Sequence, residues 1–261
     1  MISFKEILSF VKLVHSCLFA GIFFILLVWG KFITTFGLHF YDFLLISIIV
    51  VQILFIVFKF ETLGELKIIL IYHVLGFVME VFKTYPGIGA WSYPDSGFFT
   101  LLGVPLYSGF MYSAVSFIFK AWNNLDLKFT NFPKFRYTIP IAFLIYLNFF
   151  THHFLLDFRY LLIVFVILIA WNTFAWVKMK DVYRKLHVLL LFFIGFFLWI
   201  AENIATYFGA WVYPNQAIRN PVSLHKILSW FLLFIVSIVV VSAYKMNFGK
   251  SRGKYNFKKT V

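Results

Sequence analysis

The sequence predicts an all-α fold: a polytopic transmembrane helical bundle of about eight spans, arranged as two four-helix halves in parallel repeat. Three observations predict it. Of 261 residues, 62% are hydrophobic and only 13% charged, and the mean hydropathy of +0.91 excludes an ordinary soluble domain. A helix needs about 20 apolar residues to cross a hydrocarbon core of about 30 Å, and runs at 16–36, 40–59, 66–84, 98–121, 138–156, 159–177, 187–208 and 222–245 qualify. A short motif in the third run and its following loop recurs in the seventh.

The first run follows Lys5 and Lys12 and lacks a small-residue cleavage site, so it reads as a retained span. Cys17 is the single cysteine and forms no intrachain disulfide. Eighteen of the 23 lysines and arginines fall at the N-terminus, near 59–67, in 120–136, in 178–185 and in the tail. Only Lys31, Lys83, Arg159, Arg219 and Lys226 fall on the other side of this scheme. That asymmetry places both termini in the cytoplasm and demands an even number of spans. The division that follows is a first half over 1–121, a cytoplasmic connector over 122–137, a second half over 138–245 and a basic tail over 246–261. Attraction to anionic lipid accounts for the tail, and no nucleic-acid partner is expected.

The repeat comprises Glu80, Thr84, Gly89, Ala90, Trp91, Tyr93 and Pro94, then Glu202, Thr206, Gly209, Ala210, Trp211, Tyr213 and Pro214. Each copy is an acid and a threonine one helical turn apart, then Gly-Ala-Trp-x-Tyr-Pro. The glutamates lie 122 residues apart and the tryptophans 120, which leaves a two-residue insertion around Pro86 and Gly87. An ionisable group in an apolar run is costly and is a functional hypothesis by default. Two glutamates in matched settings strengthen it, although pairing with a donor on a neighbouring helix explains a membrane glutamate equally simply.

Helical rise puts Glu80, His152 and Glu202 at one depth, about 21–23 Å from the inner boundary of spans three, five and seven. His73, Glu80 and Thr84 share one stripe; so do Asn148 with His152, and Glu202 with Thr206. Asn203 follows Glu202 directly, and His153 pairs at i,i+4 with Asp157. Glu80, Glu202 and His152 are therefore the candidate catalytic groups. Thr84, Trp91, Tyr93, Thr206, Trp211, Tyr213, Asn148, Asn203, His73 and His153 are the candidate lining. The competing reading makes His73 a packing histidine, the aromatics an interfacial belt and each threonine a donor to its glutamate or to a preceding carbonyl.

No H-E-x-x-H pair, cysteine cluster, P-loop, dinucleotide-binding glycine pattern or serine-nucleophile elbow occurs, so neither metal nor cofactor is expected.

Met79-Glu80-Val81-Phe82-Lys83-Thr84, Leu147-Asn148-Phe149-Phe150-Thr151-His152-His153 and Ala201-Glu202-Asn203-Ile204 resemble the YoaT-like family of bacterial integral membrane proteins of unknown function. That likeness implies the bacterial cytoplasmic membrane and supplies no activity. More distantly, Glu80 through Tyr93 to Leu102-Gly103-Val104-Pro105-Leu106 resembles the carotenoid hydratase and heterodimeric-type lycopene cyclase superfamily, with Tyr85 where those enzymes carry glycine.

The more distant resemblance implies acid catalysis on an isoprenoid or other lipid-phase substrate. A glutamic acid kept protonated by desolvation donates to a carbon–carbon double bond, and Trp91, Trp211, Tyr93 and Tyr213 stabilise the cation through their ring faces. Water capture gives a hydratase; proton loss gives a cyclase or isomerase. Buried acids equally suit a proton-coupled small-solute transporter. A non-catalytic lipid-binding or assembly subunit would need the glutamates for stability alone.

Overall fold

The computed structural model describes residues 11–12, 14–32, 37–113, 117–179, 182–214 and 220–248. Lys5, Arg219 and the basic tail beyond Phe248 lie outside the described residues. The chain is predominantly helical and divides into two compact units, each discontinuous in sequence.

One unit comprises Leu18–Ser116 and Leu198–Leu224. It holds α1 (Leu18–Trp29), α2 (Phe40–Val57), α3 (Leu63–Thr84), the hairpin β1 (Thr100–Leu101) and β2 (Val104–Pro105), the short α4 (Ser108–Ser113), and the end of α8 (Phe192–Tyr207). Its core gathers Phe19, Phe23 and Leu27 of α1, Tyr41, Leu44 and Ile48 of α2, and Tyr107 and Ala210 from loops. Helix α3 starts on a capping box: Thr62 Oγ1 accepts from the Glu65 amide at 3.3 Å, and the Glu65 carboxylate accepts from the Thr62 amide at 2.6 Å. It stops before Pro86, because the residue preceding a proline is pushed out of the α region.

The other unit comprises Met1–Cys17, Phe117–Phe197 and His225–Val261. Here α9 (His225–Phe248) packs on α5 (Phe117–Asn124), α6 (Phe135–Thr151) and α7 (Arg159–Ala170). A three-stranded antiparallel sheet joins β3 (Lys128–Thr130), β4 (Phe174–Met179) and β5 (Val182–His187) in that order. Its register pairs Phe129 with Ala175 and Ala175 with Leu186.

Among the described residues, three helical segments are long and apolar enough to cross a membrane: Phe40–Val57, Val188–Tyr207 and His225–Lys245. They correspond to three of the eight expected runs and give the chain its membrane-related character. The expected eight spans and two four-helix halves are corrected by this count. The runs at 16–36 and 159–177 yield helices of 12 residues, about 18 Å long at 1.5 Å per residue and short of the hydrocarbon core. The run at 138–156 yields the 17-residue α6. Helix α3 has 22 residues but carries Glu65, Lys67, Glu80 and Lys83.

The run at 98–121 is broken by a hairpin. Leu102 and Gly103 both have positive φ, +54° and +79°, which makes the two-residue type I′ turn that reverses a strand. At 174–187, two strands that carry Phe174, Trp176 and Val177, then Val182 and Tyr183, form the β4–β5 hairpin instead of extending the sixth run. The parallel repeat fails for a further reason: both motif copies belong to the same unit.

Candidate functional site

The site is built from the two motif copies. Helix α3 ends one turn after Glu80, and the chain turns through Gly89 at φ +56°; α8 ends after Glu202 and turns through Gly209 at φ +71°. Both turns need the left-handed region that glycine enters freely. Each is closed by the same amide: Ala90 donates to the Lys83 carbonyl at 2.9 Å, and Ala210 to the Ala205 carbonyl at 3.0 Å. These are equivalent positions once the two-residue insertion is allowed for.

The copies then pair with each other. Ser92 and Val212, the variable residues of the two Trp-x-Tyr elements, form an isolated antiparallel bridge, each donating its amide to the other's carbonyl at 2.9 Å. An antiparallel bridge between equivalent residues is locally two-fold, so the duplication is expressed as a small symmetric contact.

Both carboxylates are buried, Glu80 at 1% exposure and Glu202 at 5%. Glu80 Oε2 accepts from Trp91 Nε1 at 2.7 Å and from the Tyr93 hydroxyl at 2.6 Å; Oε1 accepts from the Tyr112 hydroxyl at 2.7 Å. Glu202 Oε1 accepts from the Tyr213 hydroxyl. Each glutamate is thus held by the tyrosine of its own copy. The Trp91 and Tyr213 rings meet edge-on with centroids 6.0 Å apart, linking the two sets.

The phenols feel the acids. Burial first, then the Glu80 charge, pushes the Tyr93 hydroxyl well above the usual tyrosine range. Tyr213 is pushed up by burial, then by the charge and hydrogen bond of Glu202, with Glu80 adding to the effect; a hydrogen bond with the Trp211 side chain works the other way. The phenols are therefore hydroxyl donors throughout the neutral range.

Around this pair sits a tyrosine cluster. Tyr41 and Tyr107 both donate to the Ala210 carbonyl, at 3.3 and 3.2 Å, and the Tyr107 ring packs against Tyr41 and Tyr93. Asp42, 3% exposed, accepts from the amides of Phe98 and Phe99 at 2.7 and 2.8 Å. Tyr112 reaches Glu80 because α3 presents Gly76 beneath it: a Cβ there would lie 2.3 Å from Tyr112 Cδ2. Sequence reasoning missed Tyr112, Tyr107, Tyr41 and Asp42. The three tyrosines stand outside the repeat, and nothing in their spacing marks them. Asp42 was the available signal, an acid inside an apolar run.

The remaining predicted residues are placed as follows. Thr84 Oγ1 donates to the Glu80 backbone carbonyl at 2.8 Å and Thr206 Oγ1 to the Asn203 carbonyl at 3.1 Å, so both threonines tie helix backbone. Asn203 donates to the Trp199 carbonyl at 2.7 Å and accepts from the Val222 amide at 2.7 Å, which fixes the loop after α8. His73 lies between α3 and α4, its ring 4.3 Å from Phe110, with Nδ1 buried and without a hydrogen-bond partner among the described residues. A cleft of about 290 Å³ is lined by Asn203, Ile204, Tyr207, Phe208, Asn220 and Pro221; neither glutamate lines it.

Asn148, His152 and His153 belong to the other unit. His152 caps the end of α6, where its Nδ1 meets the Asn148 carbonyl at 2.7 Å. The His152 and His153 rings lie 4.1 Å apart. Asn148 donates to Asp157 at 3.1 Å and accepts from the Phe158 amide at 3.1 Å. The common depth expected for Glu80, His152 and Glu202 rested on eight spans and does not survive the corrected count. Among the described residues, no group of three or more His, Cys, Asp and Glu side chains is arranged to hold a metal ion.

The uncharacterized protein YoaT of Bacillus subtilis (strain 168) is 44% identical over 233 residues, covering 88% of each chain. No solved structure matches. The family described as protein of unknown function (DUF817) matches residues 6–238, and this chain, with its duplicated Glu-to-Tyr loop, belongs to that family.

Proposed function

We propose that the protein is an acid–base enzyme of the bacterial cytoplasmic membrane, acting through Glu80 and Glu202 on an isoprenoid or other lipid-phase substrate. The observation that carries this reading is the repeated one: each copy of the motif buries a glutamate and bonds it to its own tyrosine. Packing alone has no need of two such acids in one unit.

The hydrogen-bond pattern supports one placement of the proton. Trp91 Nε1 only donates, so the Glu80 oxygen facing Trp91 and Tyr93 stays an acceptor. The acid form carries its proton on Oε1, facing Tyr112, whose hydroxyl then turns from donor to acceptor. In the proposed reaction that proton adds to one carbon of a double bond, leaving the carboxylate and a carbocation on the adjacent carbon. A water attacking the cation and returning a proton to the carboxylate gives the hydrated product; loss of a neighbouring C–H proton to the carboxylate gives the isomer, and attack on the cation by a second double bond of the same molecule, followed by that proton loss, gives the cyclic product. The faces of Trp91, Tyr93 and Tyr213 supply cation stabilisation of about 2 kcal/mol or more each when desolvated.

A second reading is proton-coupled transport of a small solute, with the tyrosine hydroxyls bonded to each glutamate as partners for its proton. The topology that goes with either reading is multi-pass with both termini cytoplasmic, the arrangement that the distribution of basic residues favours.

Glutamine is the informative substitution. In Glu80→Gln the amide oxygen satisfies Trp91 and Tyr93 while the NH2 donates to Tyr112, so the packing is kept and the transferable proton lost. Membrane lipids and isoprenoids are compared by untargeted mass spectrometry among cells with wild-type protein, none, and the Glu80→Gln/Glu202→Gln variant at equal abundance. A species changed by one water or in isomer retention time, and only with wild type, is expected. Identical profiles with proton-dependent uptake into proteoliposomes would replace the enzyme by the transporter; loss of protein stability alone would leave a structural role.

A further inference from the structure

Residues 97–113 contain no charged side chain. Within them the β1–β2 hairpin turns its second strand inward, with Val104 and Pro105 buried, and its first strand and tip outward. Phe98 is 81% exposed, Leu102 77% and Leu101 54%. An exposed apolar cluster of this kind marks an interaction surface.

The tip is also built at a conformational cost. A type I′ turn favours Asn-Gly or Asp-Gly because both central residues have positive φ. Here the first central residue is Leu102, at φ +54°, and its side chain projects from the end of the hairpin. A large apolar side chain held in a conformation that L residues rarely adopt points to a use for that side chain.

The hairpin is fixed in place by α2. The Asp42 carboxylate, in the first turn of α2, accepts from the Phe98 and Phe99 amides at 2.7 and 2.8 Å. Gly97 allows the approach, since a Cβ there would meet Tyr41 Cβ at 3.2 Å and Asp42 Oδ1 at 3.3 Å. The Leu106 amide closes the hairpin on the Phe99 carbonyl at 3.0 Å. Because α2 is long and apolar enough to span, its first turn marks a bilayer boundary, and the hairpin is clamped to that turn.

We propose that the 98–102 tip is a membrane anchor: Phe98, Leu101 and Leu102 lie among the lipid acyl chains at the boundary where α2 enters the bilayer. The occupant of this surface is lipid, because the tip is continuous with that boundary and carries no charge. Its role stands apart from the chemistry at Glu80 and Glu202.

The test places an environment-sensitive fluorophore on single cysteines. In a Cys17→Ser background, which removes the only native thiol, Phe98→Cys and Leu102→Cys are labelled, with the exposed Lys134→Cys as reference. The proteins are reconstituted in phosphatidylcholine/phosphatidylglycerol vesicles. The labels at 98 and 102 are expected to emit to the blue of the reference, to be quenched by nitroxide on the lipid chains and to be shielded from aqueous iodide. Water-like emission with iodide quenching at both sites overturns the proposal. A blue shift that grows with protein density and ignores lipid-borne nitroxide also overturns it, in favour of a second copy of the chain. Leu102→Asn provides the variant that keeps the turn, since asparagine tolerates positive φ. In that background the label at 98 is expected to lose part of its nitroxide quenching, and unchanged quenching would remove Leu102 from the anchor.

Discussion

Glu80 is a carboxylate with three donors aimed at it, and the least replaceable part of that arrangement is a residue with no side chain. Gly76 lies one turn before Glu80 on α3, directly under the Tyr112 ring. In Gly76→Ala the added Cβ would fall 2.3 Å from Tyr112 Cδ2, so the ring must move and its bond to Glu80 Oε1 is lost. Overpacking of this kind costs about 1–3 kcal/mol, and a buried acceptor deprived of a donor adds about 1–3 kcal/mol. Tyr112→Phe removes only the hydroxyl and costs the second amount. Combining Gly76→Ala with Tyr112→Ala relieves the clash, so the double variant is expected to lose less stability than the two single losses together. Denaturation of the detergent-solubilised proteins measures all of these. Strict additivity would show that Gly76 does not position Tyr112.

At the scale of elements, helices whose apolar pattern is uninterrupted were legible, and segments whose fate depends on backbone conformation were not. The runs at 40–59, 187–208 and 222–245 become long helices because no proline or charge cluster divides them, and their single glycine, Gly195, is carried within α8. The run at 98–121 is equally apolar, but Gly103, Pro105 and Gly109 divide it, and the Leu102-Gly103 turn lacks the asparagine that usually announces its type. Both motif loops were legible in outline because the repeat marked them. That they would bridge at Ser92 and Val212 was not, because the bridge uses backbone groups common to every residue. The α6–α7 turn carries its own prediction. Burial alone would raise Asp157, but the Asn148 side chain, the Arg159 amide and the Arg159 charge outweigh it and hold the carboxyl below the ordinary aspartate value. A depressed carboxylate contributes stability that is fully present above its unfolded value of about 3.9 and is lost as pH falls through the folded value. Hydrogen exchange at the amides of Phe158 and Arg159, which accompany this carboxylate, is expected to lose protection on acidification below about pH 4. In Asp157→Asn the acid-dependent part of that loss should vanish; an unchanged profile would assign it to another group.

For the whole molecule, the decisive fact is that chain order and spatial grouping disagree. The chain builds most of one unit through Ser116, crosses to the other for Phe117–Phe197, returns with Leu198–Leu224 and leaves again at His225. Glu202 therefore reaches the unit that holds Glu80 only on the return segment, which is why equal spacing along the sequence suggested two halves where the fold makes one site. The same return bears on topology. If only the three long apolar helices among the described residues cross, the termini lie on opposite sides, whereas the distribution of basic residues predicts both in the cytoplasm. The two are reconciled if an odd number of the shorter apolar helices, Leu18–Trp29, Phe135–Thr151 and Arg159–Ala170, also cross, with flanking residues completing their length. Fusions of alkaline phosphatase, active only outside, and of a cytoplasmic fluorescent protein distinguish these cases. Fused after Val261, the fluorescent protein is expected to be bright and the phosphatase silent, with the same result when the fusion precedes Met1. Phosphatase activity at one end and fluorescence at the other would mean an odd number of crossings, as the three long helices alone would give. The basic residues would then have to be read as lipid or partner contacts, with no part in setting orientation.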